Sequence, residues 1–116
     1  MGTQDLLIFT PNGIYCPAGD FYIDPWRPVQ RAVITHGHAD HARFGHQSYL
    51  STDIAAPIIK LRLGDIVLQT VSYGATVQIA SAKVSFHPAG HVPGSAQIRV
   101  EVGGEVWVVS GDYKTE

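Results

Sequence analysis

Thr35-His36-Gly37-His38-Ala39-Asp40-His41 gathers three imidazoles and one carboxylate into six consecutive residues. Imidazole nitrogens and carboxylate oxygens are zinc-site donors. Collecting them directly after the apolar run Ala32-Val33-Ile34 is costly unless a cation neutralises them. A lone histidine at a strand end reads as a hydrogen-bonded residue, but HxHxDH order points to a metal centre. Side chains alternate along a strand, so His36 and His38 face the same way and can grip one ion as a pair. Asp40 and His41 follow once the chain turns, which aims them at a neighbouring position and suggests a second ion.

Further donors lie downstream. Ser85-Phe86-His87-Pro88-Ala89-Gly90-His91-Val92-Pro93-Gly94-Ser95 sets two histidines in a loop crowded by Gly and Pro, a context that aims polar side chains and makes one of them a ligand. Val108-Val109-Ser110-Gly111-Asp112 repeats the opening logic: an apolar strand ends, a glycine frees the chain and a carboxylate projects. Asp112 has two oxygens and can bridge two ions, although standing alone it would be read as a turn residue. Spacing alone makes Asp24, before Pro25, a turn residue as well. His46 has no such support and reads as a surface or loop residue. Donors of nitrogen and oxygen without thiolate suit zinc, with manganese or iron as substitutes.

The elements that must carry these donors are short. Leu6 to Thr10 and Ile14-Tyr15 form a hairpin around Pro11-Asn12-Gly13, followed by a strand over Phe21 to Asp24. Arg31 to Thr35 delivers the histidine cluster, and a short helix is expected from about Asp40 through Phe44. After a strand at Ser48 to Ser51, Thr52-Asp53 offers a cap for a helix running to Leu63, with Ile54, Ile58 and Leu61 on its apolar face. Pro57 argues that regular helix begins only there. Strands follow at 66–71, 76–79 and 83–87. Ala96 to Val102 alternates as a half-exposed strand, Gly103-Gly104 is a hairpin turn, and Val106 to Val109, apolar on both faces, is expected to be central.

At 116 residues the chain is one domain or part of one, with an ordinary globular balance of 45% hydrophobic and 16% charged residues. A formal charge of −2 carries no bulk basic footprint of a nucleic-acid binder, but two divalent ions would reverse its sign. Cys16 is the only cysteine, so no intrachain disulfide is available and a buried packing role is expected. No opening segment resembles a leader, and a cytoplasmic setting is the expectation.

The sequence His36-Gly37-His38-Ala39-Asp40-His41 resembles the signature of the metallo-β-lactamase superfamily of hydrolases. The stretches from Tyr15 to Trp26, His87 to His91 and Gly104 to Lys114 resemble the N-terminal part of the bacterial ligase-associated DNA exonucleases. Those are relatives of the RNA 3′-end processing nucleases in the β-CASP branch, and the similarity runs over essentially the whole chain.

The resemblance implies an αββα sandwich of α/β class. Residues 1–116 would be its N-terminal half, a mostly antiparallel or mixed sheet with one or two helices on one face. The β-CASP insertion and the C-terminal return would lie outside, and the inner sheet face would need a partner. It also implies roles. Asp24 would orient the ligands, and His91, in Gly90-His91-Val92-Pro93-Gly94-Ser95, would join His36, His38 and the bridging Asp112 on one ion. Asp40 and His41 would share Asp112 on the other, with Asp40 orienting the attacking water and a later histidine completing the set. His87 is then a strand-end residue.

The implied activity is hydrolysis of nucleic acid phosphodiesters, DNA before RNA, by water activated between two divalent ions, as an exonuclease in repair associated with a DNA ligase. Trp26, Tyr113 and Lys114 favour a nuclease only through the resemblance. Thioesterase or lactonase chemistry at the same metals, or a non-catalytic metal-binding module, are the alternatives.

Overall fold

The computed structural model describes residues 7–35, 43, 45–88 and 96–110. Strands β1 (Ile8–Thr10), β2 (Gly13–Cys16), β3 (Phe21–Ile23), β4 (Arg31–Val33), β5 (Ser48–Thr52) and β6 (Leu68–Val71) form a six-stranded sheet in sequence order. Its first three strands run antiparallel, and β3 through β6 run parallel. A second, antiparallel sheet has the order β10 (Glu105–Ser110), β9 (Ala96–Val102), β8 (Ala82–Pro88), β7 (Thr76–Ile79). The helix α1 (Ala56–Leu63) connects β5 to β6. Among the described residues, no helix is long and apolar enough to cross a membrane.

Alternation along the strands sorts side chains into two cores. Cys16, Phe21, Ile23, Val33 and Leu50 of the first sheet pack against Ala82, Val84, Phe86, Ile98 and Val100 of the second. Ala32, Ile34 and Tyr49 point to the other face, where Ala55, Ile59 and Leu63 cover them. The layers are therefore helix, mixed sheet and antiparallel sheet. The expectation of a bare inner face is corrected: the second sheet, built from this same chain, already covers it. Cys16 is fully buried and burial pushes its thiol pKa up, in keeping with a packing role.

Most element boundaries follow the sequence reading. Pro57 does mark the helix start, where a missing N–H costs nothing. Thr52 caps the turn before it, its Oγ1 accepting the Ala55 N–H at 3.1 Å. Gly103 and Gly104, with φ of 58° and 89°, make the tight turn between β9 and β10. The short helix expected over 40–44 lies outside the described residues apart from Arg43, which is not helical.

Two expectations are overturned. Ile54, Ile58 and Leu61 are 54%, 49% and 85% exposed, so the face they share points outward, and Ala55, Ala56, Ile59 and Leu63 are buried instead. Small alanines let the helix approach the sheet, while Ile54, Ile58 and Leu61 share the exposed side with Lys60 and Arg62. β10, expected to be central, lies at the edge of its sheet among the described residues, with Val106 and Val108 exposed. A strand's side chains report what its two faces meet, not how many hydrogen-bonded neighbours flank it.

Candidate functional site

The parallel strands β3, β4 and β5 end on one rim of the mixed sheet, the side on which open parallel sheets commonly present ligand-binding groups. Asp24 leaves β3 there with φ of 46°, a left-handed conformation that aspartate tolerates better than most residues. Its amide donates to the Val33 carbonyl at 2.9 Å. Its carboxylate accepts the Thr35 N–H on Oδ1 at 2.8 Å and the Thr35 hydroxyl on Oδ2 at 2.6 Å. Thr35 is fully buried, so these bonds satisfy groups that water does not reach. Asp24 thus fixes the residue immediately before His36. The turn-residue reading of Asp24 is met: the turn is what aims the carboxylate at Thr35.

The second sheet reaches the same rim. The Ala96 amide donates to the Thr35 carbonyl at 2.9 Å, joining the start of β9 to the end of β4. Ala96 pairs with Pro88, the last residue of β8, and Gln97 pairs with Ser110, the last residue of β10. Residues 35, 88, 96 and 110 therefore meet at one edge of the two-sheet core. They flank the segments 36–42, 89–95 and 111–116, which carry His36, His38, Asp40 and His41, then His91, then Asp112. These six candidate ligands lie outside the described residues. Among the described residues, no group of three or more His, Cys, Asp or Glu side chains is placed to hold a metal.

The two described histidines are engaged elsewhere. His87, at the end of β8, places Nε2 2.9 Å from the Ser85 hydroxyl, as expected of a strand-end residue. His46 is in a loop, as expected, but is not a surface residue: it is 8% exposed. Its Nδ1 accepts the Val29 N–H at 3.2 Å and its ring leans on Tyr49 with centroids 5.1 Å apart. Burial holds its pKa below the ordinary value, while the Pro25 backbone pulls weakly the other way. The candidate donors among the remaining residues, His36, His38, Asp40, His41, His91 and Asp112, are a nitrogen and oxygen set whose composition fits zinc.

One residue that the sequence reading passed over also shapes the rim. Thr35, the polar residue ending an apolar strand, is Asp24's partner, and its position before the first histidine was the available signal. Tyr49, paired with Ala32 near the start of β5 and so away from the rim, reaches the Arg43 carbonyl six positions earlier, a contact no local pattern shows.

No family model matches the chain. The sequence is 33% identical over 106 residues to a probable DNA ligase of Opitutus terrae, covering 89% of this chain and 10% of that protein. It is 32% identical over 68 residues to the endoribonuclease YSH1 of Yarrowia lipolytica, covering 59% of this chain and 7% of that protein. The chain thus spans a tenth or less of the length of these relatives. In structure it is similar to a motif mutant of a metallo-β-lactamase from Cronobacter sakazakii, with TM-score 0.57, 12% identity and coverage of 95% of this chain and 58% of that one. It is also similar to CmlA, a diiron β-hydroxylase from Streptomyces venezuelae, with TM-score 0.55, 21% identity and coverage of 72% and 20%. Likenesses at these identities carry the fold alone.

Proposed function

From the premise that this chain carries part of a metallo-β-lactamase fold, distantly homologous to regions of a probable DNA ligase and of an endoribonuclease, we propose that the protein hydrolyses nucleic acid phosphodiesters. DNA is the favoured substrate, in an exonuclease of the β-CASP branch that works in repair beside a DNA ligase, in the cytoplasm. The observation that carries this reading is the meeting of residues 35, 88, 96 and 110 at one rim, which tethers three donor-bearing segments to a common edge.

In this reading His36, His38, His91 and Asp112 hold one ion, and Asp40, His41 and Asp112 hold the other. Two divalent ions, when bound, supply Lewis acidity toward the phosphate and bring a water's pKa toward neutrality. Asp40 accepts a hydrogen bond from the attacking water and orients it. Asp24, through Thr35, fixes the strand end from which the first histidines depart, the role that groups behind a metal's ligands serve.

The test supplies zinc or manganese to the intact protein and compares cleavage of single-stranded DNA, RNA and a thioester. DNA cleavage that disappears in His38→Ala and Asp112→Asn supports the proposal. Brisk thioester turnover without DNA cleavage assigns the site to small-molecule hydrolysis, and metal uptake without any turnover assigns it to a non-catalytic module.

A further inference from the structure

The first hairpin brings to the rim an aromatic ring that is both fixed and exposed. Ile14 pairs with Ile23, the residue before Asp24, so the β1–β2 turn at Pro11-Asn12-Gly13 stands at the same end of the mixed sheet as the Asp24–Thr35 pair. Trp26, two residues beyond Asp24, is fastened to that turn. Its N–H donates to the Asn12 carbonyl at 3.0 Å and its indole Nε1 to the Pro11 carbonyl at 2.7 Å. The turn is itself braced: the Thr10 hydroxyl donates to the Gly13 carbonyl at 2.8 Å and accepts the Asn12 and Gly13 amides at 3.1 and 3.2 Å. Even so, Trp26 is 47% exposed.

Tryptophan is on average a well-buried residue, and the one polar group of this side chain is already satisfied. What it offers to solvent is therefore carbon surface and π-system. Trp107, the other tryptophan, is placed differently: its Nε1 donates to the Glu105 side chain at 3.0 Å, and its ring packs against the core between the sheets. Because Trp26 is held by two backbone carbonyls, little side-chain freedom is left to lose when a flat partner stacks on it. Arg27, the next residue, is exposed and supplies a cation suited to the phosphates beside a stacked base.

We infer that Trp26 is a stacking platform for a nucleobase of a single strand bound along the rim. The inference rests on the proposed nucleic-acid substrate and on the described placement of Trp26, and it uses the position of no metal donor. Stacking engages the face that every base has and that pairing in a duplex covers, so it selects unpaired strands without reading their sequence.

In the intact zinc-loaded protein, wild type, Trp26→Ala and Trp26→Phe are titrated with two single strands of equal length, both phosphorothioate-linked to resist cleavage. One is oligodeoxyadenylate and the other is abasic throughout. Expected are quenching of Trp26 emission, taken by difference from Trp26→Phe, with the deoxyadenylate strand alone, and binding of that strand weaker by about 5-fold to 100-fold in Trp26→Ala. Trp26→Phe recovers part of this loss, and the abasic strand binds wild type and Trp26→Ala alike. A Trp26→Ala protein that binds deoxyadenylate as wild type does overturns the inference. Equal losses on the two strands overturn it too, because they show a loosened hairpin turn and not a lost stack. If wild type binds neither strand, the nucleic-acid reading fails and this inference with it, whereas a failure confined to Trp26 leaves that reading standing.

Discussion

The Thr35 carbonyl accepts the Ala96 amide at 2.9 Å, and this bond stitches the mixed sheet to the antiparallel one at the rim where the donor-bearing segments depart. Thr35 is held from three directions: its carbonyl by Ala96, and its N–H and hydroxyl by Asp24. A residue so constrained transmits the position of both sheets to whatever follows it.

Asp24→Ala therefore leaves the buried Thr35 N–H and hydroxyl without their acceptor, at a cost of about 1–3 kcal/mol for a stranded buried group. Asp24→Asn retains one oxygen acceptor and tolerates the φ of 46°, so it lies between alanine and wild type. Urea denaturation of the three proteins without metal gives the order. An alanine variant as stable as wild type would show that Thr35 does not depend on this carboxylate.

The helix face gives a sharper contrast. Ile59→Ala removes a fully buried side chain between α1 and β4–β5 and is expected to cost about 2–5 kcal/mol. Leu61→Ala, at 85% exposure, is expected to stay within about 0.5 kcal/mol. Equal shifts in denaturation midpoint for the two would mean the helix is rotated from the orientation described.

That contrast also shows what the sequence could convey. Alternation in Ala96 to Val102 was readable because β9 has one apolar face and one polar face, and Gly103-Gly104 could only be a tight turn. Pro57 announced the helix start through its missing N–H. The helix face was not readable, because large apolar residues stand on both sides of this segment, Ile54, Ile58 and Leu61 outward and Ile59 and Leu63 inward, so periodicity does not choose between them. Of the candidate site, the donor residues were visible as a spaced motif. The bonding of Thr35 to Asp24 was not, since it joins the end of one strand to the end of another that only the fold brings together.

His46 makes stability depend on pH in a predictable direction. Burial lowers its folded pKa below the unfolded value near 6.5, so the unfolded chain binds the proton more readily. The contribution is present in full above about pH 6.5 and is lost as pH falls from there through the folded pKa. His46→Asn keeps an acceptor for the Val29 N–H and removes the titration. Stability measured against pH in wild type and variant should diverge on the acid side. Parallel curves would assign the acid sensitivity to other groups.

Tyr15 carries a dependence at the opposite extreme. Its hydroxyl donates to Asp20 Oδ1 at 2.8 Å, and that hydrogen bond, with lesser help from burial and the carboxylate's charge, pushes its pKa from 10 to about 12. The unfolded tyrosine ionises first, so the small stabilisation is present below pH 10 and disappears as pH rises through about 12. Asp20→Asn should bring the tyrosinate absorbance transition of Tyr15 back toward 10, assigned by difference from Tyr15→Phe. An unmoved transition would disprove the pairing.

Gly13 connects the first hairpin to the rim. Its φ is 143°, and a Cβ added there would lie 2.9 Å from the Pro25 Cα, a backbone atom that cannot step aside alone. Pro25 follows Asp24, and the next residue is fastened to the same turn by Trp26 N–H to the Asn12 carbonyl and Trp26 Nε1 to the Pro11 carbonyl. Gly13→Ala must therefore displace either the hairpin turn or the Asp24–Pro25 bend, costing about 1–3 kcal/mol for overpacking. Gly74→Ala is the comparison: with φ of 82° it bears backbone strain, but nothing lies within 4 Å of the added methyl. If the bend yields, Gly13→Ala also loosens the hold on Thr35, so zinc affinity falls along with stability, whereas Gly74→Ala lowers stability alone. A Gly13→Ala protein with reduced stability and undiminished zinc affinity would place the whole displacement in the hairpin and leave the rim intact.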